Sequence, residues 1–238
     1  MKNSSSNKQN ALLAEKRVFG FSLIKFLNFI KPKFLNRQMK PIADGSITEK
    51  SVKTRPWRLF QVEPAIACNL KCVMCPWREI AKKAENRGLM TPAVWDAIGP
   101  YLDRVQSVDF TGGGEPLLQP HLAEWIAEAH QAGCETGFLS NGLLLKEGKL
   151  KRILDAGINW ICISMDGATA DMYNKIRVGS DFDRVCKNMA NIARMRSGRV
   201  PKTMINFVLM DINAHQMEEI VQLAADLGVD QVNLKQCD

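Results

Sequence analysis

The sequence lacks the features that mark membrane-spanning and secreted proteins. None of its hydrophobic stretches reaches the roughly 18 uninterrupted apolar residues that a spanning helix requires, and no secretory signal opens the chain. Its seven cysteines are an odd number, which does not favour extracellular disulfide pairing. We therefore expect a cytoplasmic protein whose 238 residues build a sizeable core without disulfide bonds.

The composition and the charge pattern argue against two further classes of protein. With 46% hydrophobic and 24% charged residues, the sequence is neither collagen-like nor intrinsically disordered. The net charge of +7 comes from one region: residues 1–58 contain 13 Lys and Arg against 3 acidic residues, whereas the other 180 contain 19 against 22. Because the larger part is slightly acidic, we expect no nucleic-acid partner.

Residues 1–56 are predicted to form a basic N-terminal arm. Its first 17 residues are polar and rich in Ser, Asn and Lys, which predicts disorder. Residues 18–31 are predicted to form a Phe-rich amphipathic helix, flanked by lysine and arginine, that ends before Pro32. Two interpretations stay open: the helix lies in an anionic membrane interface, which would make the protein peripheral to the membrane, or it docks onto the main domain or a partner.

Residues 57–238 are predicted to form an α/β domain with six parallel strands. Short β-rich runs alternate with amphipathic helical segments, which is the pattern of βαβ units. Because each helical crossover returns the chain in the same direction, the carboxyl ends of the strands share one edge. Ligands in such folds gather at that edge. The predicted strands are Arg58–Glu63, Val105–Phe110, Glu135–Leu139, Trp160–Ser164, Met204–Leu209 and Gln231–Lys235.

Proline and glycine positions predict where several helices begin and end. Thr91 and Pro92 supply an N-cap and a first helical residue for a helix reaching about Leu102, and Pro120 is predicted to be the first residue of the next helix. Three helices are expected to stop at a glycine that precedes a strand. These glycines are Gly133, Gly157 and Gly228.

Three cysteines lie close together directly after the first predicted strand. Cys68, Cys72 and Cys75 have the spacing C-x3-C-x2-C, and a cytosolic cluster of this kind is more often metal-binding than disulfide-bonded. Zinc is not favoured, because the nearest histidine along the chain is the distant His121. Thiolates favour iron–sulfur clusters, which usually take four cysteines, so three would leave one iron free for another ligand.

A run of glycines follows the second predicted strand, in the segment FTGGGEP over residues 110–116. The backbone of Gly112, Gly113 and Gly114 can approach a ligand closely, and Glu115 adds a fixed charge. Taken alone, this loop is either a tight turn or a binding loop. Its position at the same edge as the thiols favours the second interpretation.

The two motifs together resemble the radical S-adenosylmethionine (SAM) superfamily from Trp57 to Asp238. The resemblance implies a partial (β/α)6 TIM-like barrel and is greatest for the branch that modifies peptides and matures cofactors. It implies that Cys68, Cys72 and Cys75 bind a [4Fe–4S] cluster whose fourth iron is chelated by SAM. It further implies that the Gly112–Glu115 loop holds the SAM amino group.

Further strand ends fit the same family pattern. Ser140 and Asn141 follow the third strand, and Ser164 and Asp166 resemble the S-x-D-G segment of the peptide-modifying relatives. Arg177 resembles an arginine used near the SAM carboxylate, and a guanidinium suits that contact. Alternatives stay open here, since Asp-Gly is also a simple turn and Arg177 could be a solvated loop charge.

The remaining cysteines, and two residues beside the cysteine motif, receive other interpretations. Cys134, Cys162 and Cys186 are predicted to be buried as small hydrophobic residues without a ligand role. Met74 and Trp77 could cover the cluster or the adenine, as residues at this point do in the family, or belong to the core.

The resemblance implies a reaction but no particular substrate. A reduced cluster would cleave SAM to a 5′-deoxyadenosyl radical, which would take a hydrogen atom from a peptide or a small metabolite. A low-potential donor of the flavodoxin or ferredoxin type is implied as a partner. Two alternatives stay open: a truncated or inactive relative, since the chain ends at the sixth strand, and a non-enzymatic iron–sulfur electron-transfer protein.

Overall fold

The computed structural model describes residues 55–77 and 88–236. The predicted amphipathic helix at residues 18–31 and nearly all of the predicted arm lie outside the described residues. Cys237 lies outside them as well. Within the described ranges, no helix is both long enough and apolar enough to cross a membrane.

Six strands form one parallel sheet that curves into a half-barrel. Each strand pairs with its sequence neighbours, in the order β1-β2-β3-β4-β5-β6. All six predicted strands are confirmed with shifts of at most two residues at their ends: β1 ends two residues earlier than predicted, and β5 begins two residues earlier. The strands are β1 Trp57–Gln61, β2 Val105–Asp109, β3 Glu135–Ser140, β4 Trp160–Ser164, β5 Lys202–Leu209 and β6 Gln231–Gln236.

Helices connect the strands, as the α/β prediction requires. The α-helices of the described residues are α1 Pro92–Ile98, α2 Leu122–Gln131, α3 Glu147–Asp155, α4 Ala170–Ile176, α5 Phe182–Met195 and α6 Met217–Asp226. Short 3-10 helices lie at Gly99–Arg104, Pro116–Leu118 and Ala214–Gln216. The predicted glycine stops are confirmed: Gly133, Gly157 and Gly228 follow α2, α3 and α6 with φ of 82°, 85° and 71°. This left-handed conformation favours glycine.

Two predicted helix boundaries are wrong, and both involve proline. The helix predicted to reach Leu102 is α-helical only to Ile98 and continues as a 3-10 helix. Pro100 explains the change, because it has no N–H for the i→i−4 bond. Pro120 is not the first residue of α2, since His121 is the N-cap and Pro120 lies in the turn before it.

The main core lies between one face of the sheet and the helices. Alternate residues of the strands, such as Ile205 and Phe207 of β5, are fully buried in one cluster with Trp125 and Ile126 of α2. Their burial contributes roughly 25 cal/mol per Å² of apolar surface. The packed sheet therefore gives a rigid support for the loops that follow the strands.

Candidate functional site

A cavity of about 520 Å³ lies at the carboxyl ends of the strands. It is lined by every predicted site residue except Asp166, which is fully buried behind it. The lining residues are Cys68, Leu70, Cys72, Met74, Cys75, Pro76, Gly112, Gly113, Gly114, Glu115, Leu139, Ser140, Asn141, Ser164, Arg177, Val208 and Gln236. The fold thus brings together residues that are more than 100 positions apart in the sequence.

The cysteine loop, residues 64–77, is held in place by the carboxyl end of α4 and the residues just after it. The backbone N–H groups of Lys71 and Val73 donate to the carbonyls of Val178 and Ile176, each at 2.9 Å. Cys68 is exposed, whereas Cys72 is buried. Burial raises the pKa of both thiols, and the guanidinium of Arg177 opposes that rise at Cys72. The loop is therefore a fixed part of the cavity wall.

The glycine loop, residues 112–115, packs directly on the cysteine loop. The N–H of Glu115 donates to the carbonyl of Ala67 at 2.8 Å. A Cβ at Gly114 would collide with the backbone of residues 65–67, and one at Gly113 would collide with the Trp77 indole. None of Gly112, Gly113 and Gly114 has a positive φ. Gly113 and Gly114 are therefore required by close approach rather than by a tight turn.

The Glu115 carboxylate joins the ends of β2 and β3. Its Oε1 accepts hydrogen bonds from the Ser140 hydroxyl at 2.7 Å and from the Leu117 N–H at 3.1 Å. Its Oε2 accepts from the Asn141 N–H at 2.9 Å. Burial raises the pKa of Glu115, and these bonds oppose the rise. Both oxygens are thus used in holding the protein's own loops together.

Asn141 connects the third strand end to the cysteine loop. Its Nδ2 donates to the side-chain oxygen of Asn69 at 2.9 Å, and its Oδ1 accepts from the Leu143 N–H at 3.0 Å. The Ser140 hydroxyl likewise accepts from the Gly142 N–H at 2.9 Å. Both side chains therefore have protein partners at the cavity wall.

An ion pair between Asp166 and Arg177 closes the cavity beside Cys72. Arg177 donates through Nε and Nη2 to Oδ2 of Asp166, each at 2.7 Å, and its Nη1 lies 3.8 Å from the Cys72 sulfur. Arg177 is 8% exposed, so it is not a solvated loop charge. Ser164 lines the cavity, and its hydroxyl has no hydrogen-bond partner among the described residues.

The family model described as "Radical SAM superfamily" matches residues 62–224 of this sequence, which contain both loops and all the strands from β2 to β5. The chain belongs to the radical SAM superfamily. A [4Fe–4S] cluster and SAM are the characteristic cofactors of radical SAM proteins.

Curated and solved radical SAM proteins resemble the chain over 49% to 78% of its length. It is 28% identical to the AdoMet-dependent heme synthase of Methanosarcina barkeri, over 72% of this chain and 48% of that protein. It is 31% identical to the PqqA peptide cyclase of Ruegeria pomeroyi, over 49% of this chain and 30% of that protein. SuiB of Streptococcus suis, solved with bound S-adenosylmethionine, aligns with a TM-score of 0.64 and 20% identity, over 78% of this chain and 41% of SuiB. The chain therefore spans at most about half the length of these relatives.

The residues of the cavity fit a radical SAM cluster better than a single metal ion. Among the described residues, no three His, Cys, Asp or Glu side chains converge on one ion position. A cluster does not need such convergence, because each cysteine binds a different iron. The donors that line the cavity include three thiols and no histidine, a set typical of iron–sulfur clusters rather than of catalytic zinc.

Three residues that support this radical SAM site were not predicted. The Glu63 carboxylate accepts from the Gly113 N–H, Asn69 accepts from Asn141, and Asn213 donates to the Asp166 carbonyl at 3.0 Å. Glu63 lies two residues after β1, and Asn69 lies next to Cys68 within the cysteine motif; these positions are the signals that could have suggested them. Asn213 gives no sequence signal, since its partner is 47 residues away.

The other cysteines of the described residues do not line the cavity. Cys134 and Cys162 are buried, as predicted, and Cys186 on α5 is only half-buried. Burial raises the pKa of the Cys162 thiol to about 11. Met74 lines the cavity, whereas Trp77 packs on Gly113 and donates to the Ile66 carbonyl at 2.8 Å.

Proposed function

We propose that the chain carries the core of a radical SAM enzyme whose cavity binds a [4Fe–4S] cluster through Cys68, Cys72 and Cys75, with SAM beside it. When bound, these cofactors supply reductive cleavage of SAM to a 5′-deoxyadenosyl radical, which takes a hydrogen atom from the substrate. The observation that carries the proposal is the packing of the cysteine loop on the glycine loop around one cavity. An iron–sulfur electron carrier would not need the glycine loop.

The residues around the cavity divide the binding of the cofactors between them. Three thiolates leave one iron of the cluster without a protein ligand. We propose that the Gly112–Glu115 backbone receives the SAM amino group, and that Ser164 and Arg177 face its carboxylate, since a guanidinium pairs well with carboxylate oxygens. Met74, Leu139 and Val208 give the cavity an apolar wall that limits water.

We propose a peptide or a small metabolite as the substrate, and a low-potential flavodoxin- or ferredoxin-type protein as the electron donor. Support for a peptide comes from SuiB, which has also been solved bound to its precursor peptide SuiA and aligns with a TM-score of 0.62 at 18% identity. The PqqA peptide cyclase points the same way, whereas the heme synthase points to a small molecule.

Anaerobic reconstitution tests the proposed function directly. The full chain is loaded with iron and sulfide, reduced with dithionite and incubated with SAM in the absence of substrate. We expect about four irons per chain and slow formation of 5′-deoxyadenosine. A full cluster that yields no 5′-deoxyadenosine would favour the electron-transfer alternative, and a chain that binds no cluster would favour the inactive one.

For the basic arm we propose contact with an anionic membrane surface, on the sequence of residues 18–31 alone. Flotation of the full chain with liposomes, with and without phosphatidylserine, tests it. A variant with Lys16, Arg17, Lys31 and Lys33 changed to Gln is the control. Binding that does not depend on anionic lipid, or on these charges, would contradict the proposal.

A further inference from the structure

The guanidinium of Arg177 faces two partners of different kinds. Its Nε and Nη2 donate to one oxygen of Asp166, each at 2.7 Å. The remaining nitrogen, Nη1, lies 3.8 Å from the sulfur of Cys72. All three residues are buried. The positive end of the ion pair is thus turned toward a thiol that we assign to the cluster.

Asp166 is itself fixed, so the orientation of Arg177 is built into the fold. Its second oxygen accepts from the Val208 N–H at 2.7 Å, and its carbonyl accepts from Nδ2 of Asn213 at 3.0 Å. Rotation of the guanidinium away from Cys72 would break two charge-assisted hydrogen bonds in a buried place, which is costly. Asp166 is therefore a positioning residue for Arg177, and its own charge acts on Cys72 more weakly and in the opposite direction.

A fixed positive charge beside a cluster ligand has a predictable electrostatic effect. One-electron reduction adds one negative charge to a cluster without making or breaking a bond. A buried charge is screened little by solvent and salt, and the surroundings of the ligand sulfurs set the potential of an iron–sulfur cluster. A nearby guanidinium therefore favours the reduced form.

We propose that Arg177, positioned by Asp166, raises the reduction potential of the cluster bound through Cys72, and that it does so before SAM is present. This inference rests on the proposed function, since it requires that the chain bind a cluster. It gives Arg177 an effect on electron entry that is separate from any contact with the SAM carboxylate.

The test is a redox titration of the reconstituted full chain without SAM, with dithionite as reductant and the signal of the reduced cluster followed by electron paramagnetic resonance. Arg177→Gln removes the charge. The double variant Arg177→Gln/Asp166→Asn also avoids leaving a buried carboxylate unpaired, and Arg177→Lys keeps a charge that cannot reach both partners. Arg152→Gln is the control, because Arg152 is exposed and pairs with Glu124 on the protein surface.

We expect the reduced-to-oxidised ratio at a given ambient potential to fall about tenfold in Arg177→Gln, which corresponds to about 59 mV for one electron. The double variant should show a smaller fall, because it also removes the opposing negative charge of Asp166. Arg177→Lys should lie between Arg177→Gln and the parent, and Arg152→Gln should match the parent. Unchanged potentials in the Gln variants would overturn the inference and leave Arg177 with a role toward SAM alone. Loss of the cluster from all three Arg177 variants would also count against it, since the arginine side chain would then be needed for cluster loading. A parent chain without any cluster would instead refute the proposed function.

Discussion

An arginine–aspartate pair lies at each end of the sheet, and the two arginines differ in which of their nitrogens are used by the pair. At the amino ends of β5 and β6, Arg196 donates to both oxygens of Asp230. Its other contacts are the carbonyls of Pro201 and Gly228, at 3.1 Å each, and the Thr203 hydroxyl at 3.2 Å. Every partner of this guanidinium is part of the protein.

At the carboxyl ends, Arg177 and Asp166 are buried, whereas Arg196 and Asp230 are only half-buried. One nitrogen of Arg177 faces Cys72 and the cavity. The two ion pairs therefore serve different purposes. The pair at the amino ends connects the end of a helix to two strands, and the pair at the cavity places a positive charge beside Cys72. Variants at the two ends should accordingly damage different properties.

The largest expected effect is at the cavity, on cofactor content. Cys72→Ala should abolish both the cluster and the formation of 5′-deoxyadenosine, because the two remaining thiols cannot hold a [4Fe–4S] cluster stably. Iron and sulfide analysis with visible absorbance after reconstitution measures the loss. Cys186→Ala is the matched control, since this half-buried cysteine lies on α5 away from the cavity and should leave both readouts intact. A full cluster in Cys72→Ala would make the ligand assignment wrong.

The second prediction concerns the Arg196–Asp230 pair at the amino ends of the strands. Arg196→Met should lower the free energy of unfolding by about 2–4 kcal/mol, because it leaves a half-buried carboxylate without its arginine partner. Urea denaturation followed by circular dichroism measures the change. Arg194→Met, on the same helix but in an exposed pair with Glu147, should cost less than about 1 kcal/mol.

The comparison requires that Arg196→Met leave the cavity unchanged. Iron content per folded chain should therefore equal that of the parent after reconstitution at low temperature. A variant that keeps its stability but loses its cluster would show that the two ends are not independent.

The sequence predicts some of these features well and others poorly, for physical reasons. Cys68, Cys72 and Cys75 could be found because their chemistry lies in a local spacing, and the strands could be found because burial imposes a local period. The role of Asp166 could not be found, because its partners Arg177 and Val208 are brought to it by the register of the sheet. In the sequence, Asp166 followed by Gly167 resembles a simple turn.

Glu115 is a second residue whose contacts could not be predicted from the sequence, and the third prediction concerns it. Glu115→Gln should lower the free energy of unfolding by up to about 3 kcal/mol, because three donors from Ser140, Leu117 and Asn141 point at its oxygens and an amide NH₂ would face one of them. Urea denaturation measures it. Glu147→Gln, at an exposed glutamate, is the control and should change little. Equal stabilities for the two variants would mean that Glu115 does not hold the loops together.

The smallest expected effect is the pH dependence of the stability that the Arg196–Asp230 pair contributes. Hydrogen bonds from Arg196 and Thr203 lower the pKa of Asp230 from 3.8 to about 2, although burial alone would raise it. Because the folded pKa lies below the unfolded one, the ionised form stabilises the fold above about pH 4, and that stability is lost as the pH falls toward 2. The shift corresponds to about 2 kcal/mol. The unfolding free energies of the parent and of Asp230→Asn are measured from about pH 6 to about pH 2.5. Their difference at each pH cancels the titration of the other carboxylates. That difference should shrink by most of the 2 kcal/mol, whereas a difference that stays constant over this range would show that Asp230 gains no stability from its charge.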